Sequence, residues 1–294
     1  MHPPKFILVT GANKGIGYAI IKKILQHDPT TTVFLGSRSA TRGQEAKKTL
    51  VKEESSWEKR IIVTQLDVTE EASVAQAQKQ IQDTIGQKKL YGIVNNAGIA
   101  MGPLQQILDV NVYGVHKVCS KFIPLLHPTE GRIVVISSAA GPSFVSRCSP
   151  QRKAFLIDPK VEWTDIDTFM KECLNITGGA KEFASRGLGN GSSYHLSKAC
   201  VNAYTLHLAR TYPQIKTNAC TPGFIETDLT RPMAKFSGKT PQEMGMLPAE
   251  KGTISAMHLL FDSLEGNGRY YGSDAIRSPL DKYRSPGDPP YTGE

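Results

Sequence analysis

"TGANKGIG" (residues 10–17) follows directly on the apolar run "KFILV" (residues 5–9) and opens a helix-length stretch. In such a unit Gly11 allows the tight turn, Gly15 lets the backbone approach a pyrophosphate, and Gly17 lets the helix pack close to the strand. The spacing is G-x-x-x-G-x-G, and three glycines in a loop are often only a turn. Their position between a strand and a helix nevertheless favours dinucleotide binding, because the helix N-terminus offers unpaired N–H groups to a phosphate.

The same alternation of apolar runs and amphipathic stretches continues along the chain, which predicts an α/β fold with a parallel sheet covered by helices on both faces. The runs are "KFILVT", "TTVFLGS", "RIIVTQLDV", "LYGIVNNAG", "GRIVVISS", "IKTNACT" and a short one near "GRYYG". The helices are expected at 15–27, 40–54, 70–85, 104–126, 193–212 and 248–263. The chain is therefore predicted to be one doubly wound domain over residues 1–278.

Two segments interrupt or follow this alternation. Residues 139–192 are rich in Gly, Pro and Ser at both ends, with one helix expected in "TDIDTFMKECLNI", where Thr164 and Asp167 have capping-box spacing. "KEFASRGLGNGSS" is glycine-rich and is expected to be mobile. The polar, proline-rich tail of residues 279–294 is predicted to be poorly ordered.

Composition excludes several classes of protein. The net charge of +8 comes from scattered lysines and arginines without interleaved aromatics, so we expect no nucleic-acid partner. No apolar run is long enough to span a membrane, and the N-terminus lacks a secretory signal pattern. Five cysteines, widely spaced and without C-x-x-C, argue against a disulfide framework or a metal site. They fit a reducing compartment, and we expect a cytoplasmic protein.

The end of the second predicted strand indicates which dinucleotide is bound. NAD-binding proteins place an acidic residue there, about 20 residues after the glycines, whereas this chain has Ser37 and Arg38. Arg38, together with Lys14 in the glycine loop, could pair with a ribose phosphate. Arg38 could also be a solvated charge, but the missing acid favours NADP+/NADPH over NAD.

"YHLSK" (residues 194–198) places Tyr194 and Lys198 four residues apart, on one face of a predicted helix. Both could be amphipathic surface residues without chemistry. A carbonyl reduction, however, needs a hydride on carbon and a proton on oxygen. A neighbouring ammonium is expected to lower the phenol pKa from its ordinary value of about 10 towards the range useful for acid–base catalysis.

These motifs, in their order along the chain, resemble the short-chain dehydrogenase/reductase family over almost the full length. Further matching pieces are "LDV" (66–68), "NNAG" (95–98), Asn111, "ISS" (136–138) and "PGFIET" (222–227). The branch that it resembles most is the monomeric carbonyl reductases, through "SRSATRGQEA" (37–46), "SRCSP" (146–150) and "NACTPGF" (218–224). The resemblance implies a Rossmann-type fold and the reduction of a ketone, aldehyde or quinone by NADPH.

The resemblance also implies roles for individual residues. Tyr194 is expected to be the acid–base group and Lys198 to hydrogen-bond the nicotinamide ribose. Ser138 is expected to hydrogen-bond the substrate oxygen, and Asn111 to hold a water against the lysine in a proton relay. Structural alternatives remain for each, such as a turn cap for Ser138 and a helix kink for Asn111.

Cofactor and substrate contacts carry over in the same way. The expected cofactor contacts are Gly11, Asn13, Lys14, Gly15, Ile16, Gly17, Ser37, Arg38, Asp67, Val68, Asn95, Ala97, Gly98, Tyr194, Lys198, Pro222, Gly223, Phe224 and Thr227. The expected substrate contacts are Ser138, Phe144, Tyr194 and Phe224, with Trp163, Leu229 and Met233 as further candidates for apolar lining.

Two features depart from the usual family pattern. Fifty-five residues separate Ser138 from Tyr194, and in the carbonyl-reductase branch such an insert covers the face through which relatives pair, so a monomer is expected. Only 15 residues separate Asn95 from Asn111, which predicts a wider or less ordered rim of the substrate pocket.

Other functions stay open at this point. The chain could be an alcohol or hydroxysteroid dehydrogenase working in the oxidative direction, since cofactor poise sets direction more than the site does. It could also be a non-catalytic NADP-binding sensor, although such a protein is expected to have lost a catalytic residue. Nucleotide-sugar epimerases share the Tyr–Lys pair but usually carry a larger C-terminal substrate region.

Overall fold

The computed structural model describes residues 4–293 and contains one sheet of eight strands in the order β3-β2-β1-β4-β5-β6-β7-β8. All neighbouring strands run parallel except β7 and β8, which are antiparallel. The strands are β1 (Phe6–Val9), β2 (Thr32–Ser37), β3 (Ile61–Gln65), β4 (Gly92–Asn95), β5 (Arg132–Ile136), β6 (Lys216–Cys220), β7 (Tyr270–Tyr271) and β8 (Arg277–Ser278).

The helices are α1 (Gly15–His27), α2 (Ala40–Glu53), α3 (Glu71–Ile85), α4 (Leu104–Leu108), α5 (Gly114–Phe122), α6 (Ala140–Ser146), α7 (Pro150–Leu156), α8 (Trp163–Leu174), α9 (Gly179–Ser185), α10 (Ser193–Thr211), α11 (Arg231–Ser237) and α12 (Ile254–Phe261). Four of the predicted helices, at 15–27, 40–54, 70–85 and 193–212, agree with these bounds to within one residue at each end. The predicted doubly wound α/β fold is confirmed.

The sheet separates two apolar cores because successive side chains of a strand point to opposite faces. In β1, Ile7 and Val9 face the core formed with α1, α2 and α12, while Leu8 faces the core formed with α3, α5, α8 and α10. All three side chains are fully buried. The strands are apolar throughout because both faces are covered.

The strand order reverses between β1 and β4. β2 and β3 extend the sheet on one side of β1, and β4 and the later strands extend it on the other side. In open parallel sheets, ligands bind at the carboxyl ends of the strands beside such a reversal. The glycine loop of residues 10–17 and the "NNAG" segment of residues 95–98 both lie there.

One predicted helix, 104–126, is broken in the structure. It consists of α4, a π-helical turn (Asp109–Tyr113), α5 and a 3₁₀ turn (Ile123–Leu125). The π-helical turn contains the buried Asn111, whose side chain hydrogen-bonds the loop before α4. Pro124 lies in the 3₁₀ turn and cannot donate a helical hydrogen bond, which fits the end of α5 at Phe122.

The insert contains four helices, α6 to α9, rather than the single helix that was predicted. The capping box of α8 is also displaced from the predicted pair Thr164 and Asp167. Glu162 is the N-cap, and the Asp165 carboxylate accepts a hydrogen bond from the Glu162 backbone N–H at 3.1 Å. Part of "KEFASRGLGNGSS", predicted to be mobile, forms the end of α9.

The insert packs over α5 and α10 through aromatic contacts. Trp163 of α8 stacks on His116 of α5 with ring centroids 3.7 Å apart, and its edge meets Tyr204 of α10 at 5.2 Å. The Tyr113 hydroxyl donates to Asp167 of α8 at 2.7 Å. The outward faces of α5 and α10 are therefore covered by the chain's own insert.

The segment that follows β8 lies against the body of the fold. Pro279 and Arg284 are buried, and Leu280 packs on the core that includes α10. The poor order predicted for residues 279–294 stays a prediction. Within residues 4–293, no helix has the length and apolar character needed to cross a membrane.

Candidate active site

The glycine loop of residues 10–17 packs so closely against the loop after β4 that added Cβ atoms would clash. Gly11 has φ of +62°, and a Cβ added to it would lie 2.9 Å from the Ala97 Cα. A Cβ on Gly17 would lie 2.5 Å from the Asn96 amide nitrogen. These two positions therefore require glycine, one for its conformation and close contact, the other for contact alone.

Asn96 fixes the glycine loop against β4. Its Nδ2 donates to the carbonyl oxygens of Thr10 and Gly11 at 2.9 and 3.1 Å. In return the Thr10 hydroxyl accepts from the backbone N–H groups of Asn96 and Ala97, both at 3.0 Å. The loop is thus held by hydrogen bonds before any ligand arrives.

A cleft of about 760 Å³ opens above this loop, along the carboxyl ends of the strands. Most predicted cofactor contacts line it: Gly11, Asn13, Lys14, Gly15, Ile16, Arg38, Asp67, Val68, Ala97, Gly98 and Thr227. The cleft is lined by the loops that follow β1, β2, β3, β4 and β6.

The N-terminus of α1 faces the cleft without a side-chain cap. Lys14 occupies the N-cap position and makes no capping hydrogen bond, and the first turn contains no acidic residue. The first backbone N–H groups of a helix lack intrahelical partners, so an anion in the cleft would satisfy them. The Lys14 ammonium pairs instead with Asp228 across the cleft, at 2.5 Å.

Two arginines stand at the far end of the cleft. Arg38 follows β2, and Arg42 lies one turn into α2, whose N-cap Ser39 accepts from the Arg42 backbone N–H at 3.3 Å. Both side chains are exposed in the cleft wall. The close glycine approach, the uncapped helix and this cationic end together fit a phosphorylated dinucleotide.

Several predicted cofactor contacts lie outside the cleft wall. Ser37 is buried, and its hydroxyl donates to the Ser39 carbonyl at 2.8 Å. Asn95 is buried, with Nδ2 3.4 Å from the Cys119 sulfur. Gly17 and Pro222 do not line the cleft, and Gly223 and Phe224 line a second cavity. The predicted contact by Asn95 is thus made, on the cleft side, by its neighbour Asn96.

Tyr194 and Lys198 lie one turn apart on α10, as predicted. The Lys198 ammonium is buried beneath Tyr194, 5.7 Å from the centroid of its ring, and donates to the Ile136 carbonyl at the end of β5 at 2.9 Å. A Cβ added to Gly98 would lie 3.8 Å from the lysine nitrogen, so Lys198 also faces the loop after β4. Lys198 therefore links α10 to the end of β5 and to the loop after β4, but neither Lys198 nor Tyr194 is among the residues that line the cleft.

The protonation states differ from the sequence-based expectation. Burial raises the pKa of the Tyr194 phenol, and a hydrogen bond with Ser138 acts in the opposite direction. Burial also lowers the pKa of the Lys198 ammonium, to about 8. The prediction of a lowered phenol pKa is therefore wrong, because the burial of Tyr194 outweighs the effects that favour the phenolate.

Ser138 follows β5 and faces the second cavity, of about 200 Å³. Its hydroxyl accepts from the Ala140 backbone N–H at 3.2 Å, so it also serves as a turn cap. Gly223 and Phe224, which follow β6, line the same cavity. Ser138, Tyr194 and Phe224 therefore meet at the junction of β5, β6 and α10.

Asn111 holds the shortened loop after β4. Its Oδ1 accepts from the Ile99 backbone N–H, and its Nδ2 donates to the Ile99 carbonyl, both at 2.9 Å. The second hydrogen of Nδ2 goes to the Ser197 hydroxyl at 3.0 Å. Since both amide hydrogens are used, Asn111 can hold a relay water only as an acceptor, through Oδ1 or its backbone carbonyl.

The predicted apolar lining is only partly found at the cavities. Leu229 lines the cleft. Phe144 lies in the core, 2% exposed, and Trp163 packs between His116 and Tyr204, so neither side chain reaches a cavity. Met233 is exposed on α11, away from the lining of both cavities.

Sequence analysis missed several residues at the site. Arg42 could have been found, because it lies one helical turn beyond Arg38 in "RSATR". Asn96 lines the cleft and was missed, although it directly follows the predicted contact Asn95. Tyr283, Arg284 and Pro286 line the second cavity but belong to the segment that was predicted to be poorly ordered. No cluster of metal-ligating side chains occurs within residues 4–293.

Comparison with known proteins gives a family consistent with this geometry. The sequence profile of the short chain dehydrogenase family matches residues 5–149. The chain is 31% identical to (+)-neomenthol dehydrogenase of Arabidopsis thaliana, over 87% of this chain and 91% of that protein. It is 31% identical to carbonyl reductase (NADPH) 3 of Rattus norvegicus, over 83% of this chain and 91% of that protein.

Among solved structures, salutaridine reductase of Papaver somniferum superposes with a TM-score of 0.75 at 26% identity, over 91% of this chain and 99% of that one. The chain therefore belongs to the short-chain dehydrogenase/reductase family, and its resemblance to carbonyl reductases is confirmed. Members of this family are oxidoreductases that use nicotinamide cofactors.

Proposed function

We propose that the chain reduces a ketone, aldehyde or quinone to the alcohol with NADPH. The observation that carries the proposal is that Tyr194 lies next to two polar groups: the buried Lys198, whose nitrogen is 5.7 Å from the centroid of its ring, and Ser138, which hydrogen-bonds its phenol and lines the second cavity. In that position a phenol can deliver a proton to an oxygen held by the serine.

The bound cofactor supplies hydride to the carbonyl carbon, and the protein manages the oxygen. The Ser138 hydroxyl donates a hydrogen bond to the carbonyl oxygen and stabilises the negative charge that develops there. Tyr194 transfers its phenolic proton to that oxygen and becomes phenolate. The Lys198 ammonium beneath the ring favours this phenolate, which regains a proton from solvent.

The preference for NADPH over NADH rests on Arg38 and Arg42. An exposed guanidinium pair at one end of the cleft suits a ribose phosphate dianion, and the strand end lacks the carboxylate that would hold a ribose diol. The curated relatives named NADPH carbonyl reductases support the same choice.

The direction rests on the cofactor, because a catalyst accelerates both directions and a preference for NADP over NAD favours reduction. An NADP-dependent alcohol or hydroxysteroid dehydrogenase therefore stands as the second candidate function, favoured by the relative named neomenthol dehydrogenase.

The test follows nicotinamide absorbance with NADPH or NADH and a panel of quinones, aromatic aldehydes and ketones. Tyr194→Phe is expected to lower kcat by about 10²–10⁴-fold while NADPH still binds. Tyr212→Phe, at the end of the same helix, serves as the matched control. No turnover by the unmodified protein despite NADPH binding would reject the reductase and favour the non-catalytic sensor.

We also propose a cytoplasmic monomer. The support for a monomer is the insert, which covers α5 and α10 with Trp163 against His116 and Tyr204. The support for a reducing compartment is that all five cysteines are free thiols. A dimer mass in light scattering would contradict the monomer. Recovery of the native protein in the fraction of an oxidising compartment would contradict the cytoplasmic location.

A further inference from the structure

The cavity beside Ser138 is closed by a part of the chain remote from every motif. Its remaining lining comes from Ala139, Thr221, Ser273, Tyr283, Arg284 and Pro286. Tyr283 and Pro286 follow the last strand and line the same cavity as Ser138 and Phe224. This cavity is therefore lined partly by the loops after β5 and β6 and partly by the segment 283–286.

A buried ion pair holds the wall formed by the segment 283–286 in place. The Arg284 side chain is 8% exposed, and its Nη1 and Nη2 donate to the two carboxylate oxygens of Asp274 at 3.1 and 2.8 Å. The same guanidinium donates to the carbonyl oxygens of Asp288 and Pro289 at 2.9 and 3.1 Å. A bidentate pair fixes orientation as well as distance, so Tyr283, the preceding residue, is held at the cavity.

The arrangement of side chains indicates what enters. Polar side chains of the lining belong to Ser138, Thr221, Ser273 and Arg284, while Phe224 and Tyr283 contribute aromatic rings and are 39% and 53% exposed. Two accessible aromatic rings in one cavity favour a flat apolar group against them, because aromatic rings pair by stacked or edge-to-face contact. The volume of about 200 Å³ is slightly larger than an engineered cavity of ~150 Å³ that takes one benzene molecule.

We propose that Tyr283, held by the Asp274–Arg284 pair, determines substrate size in this enzyme. The substrate class is a carbonyl compound bearing one ring-sized apolar group, with its oxygen at Ser138 and its ring between Phe224 and Tyr283. This inference rests on the proposed reductase function.

The test compares two aldehydes that differ by one ring, benzaldehyde and biphenyl-4-carbaldehyde, at saturating NADPH. Tyr283→Ala opens the wall, and the ratio of kcat/KM for the two-ring over the one-ring aldehyde is expected to rise about tenfold. Tyr283→Trp narrows the cavity and is expected to lower that ratio. Asp274→Ala releases the wall and is expected to raise it.

Tyr291→Ala is the matched control, because this tyrosine lies in the same segment but packs against Arg277, outside the cavity. Its ratio is expected to equal that of the unmodified protein. An unchanged ratio in both Tyr283 variants, with turnover retained, would overturn this inference and leave the reductase intact. Absence of turnover by the unmodified protein would overturn both this inference and the proposed reductase function.

Discussion

The two cavities of this protein differ in how the chain builds them. The cofactor cleft takes most of its lining from the turns that directly follow β1 to β4, all in the first 101 residues. The cavity beside Ser138 takes its lining from four loops between residues 138 and 286, of which the last is held by an ion pair. The first is therefore a property of short motifs, whereas the second depends on tertiary contacts.

The largest expected effect tests the cationic end of the cleft. Replacing both Arg38 and Arg42 by Ala is expected to weaken NADPH binding about 10²–10⁴-fold, since the two lost charge-assisted hydrogen bonds cost ~1.5–3 kcal/mol each. NADH affinity is expected to change little. Calorimetric titration with both cofactors measures the difference.

Lys48→Ala is the control for this pair of substitutions, because Lys48 is an exposed cation on the same helix α2 outside the cleft. It is expected to leave the ratio of the two affinities unchanged. An equal loss of NADH affinity in the double variant would show that the arginines act through general attraction and do not recognise the additional phosphate.

A smaller effect is expected where the cleft depends on one close contact. Gly11→Ala adds a Cβ 2.9 Å from the Ala97 Cα at a φ of +62°. It is expected to weaken cofactor binding about tenfold and to cost ~2–4 kcal/mol of unfolding free energy, from backbone strain and overpacking together. Denaturant unfolding and cofactor titration measure the two effects.

Gly238→Ala separates strain from contact, because Gly238 has left-handed helical angles (φ of +67°, ψ of +18°) and its added Cβ would meet nothing within 4 Å. It is expected to cost only ~1–2 kcal/mol and to leave cofactor binding unchanged. Equal destabilisation by the two substitutions would mean that the close approach of Gly11 to Ala97 contributes nothing.

The same contrast explains what the sequence could predict. The glycine loop, Arg38, Tyr194 and Lys198 were located because a strand end or a helical turn fixes each of them within a few residues of its neighbours. Phe144 was assigned to the substrate pocket and lies in the core, since its direction depends on how α6 packs on α10. The place of Tyr283 depends on the pairing of Arg284 with Asp274, and a polar, proline-rich segment carries no local signal for such a contact.

The smallest expected effect is the titration of Lys198, which lies between the end of β5 and the loop after β4. Because burial lowers its pKa to about 8, the ammonium is present below that pH and is lost as the pH rises through it. The kcat/KM for NADPH, which reports on the free enzyme, is expected to be constant below neutrality, to halve near pH 8 and to fall further above it. The phenol of Tyr194 does not contribute to this decline, since its pKa is raised above the ordinary value of 10.0.

In Lys198→Arg the charge persists to a pH above about 12, so the residual activity of that variant is expected to lose the decline near pH 8. A decline that survives the substitution would assign the titration to another group and would remove Lys198 as the link between the cleft and the proton donor.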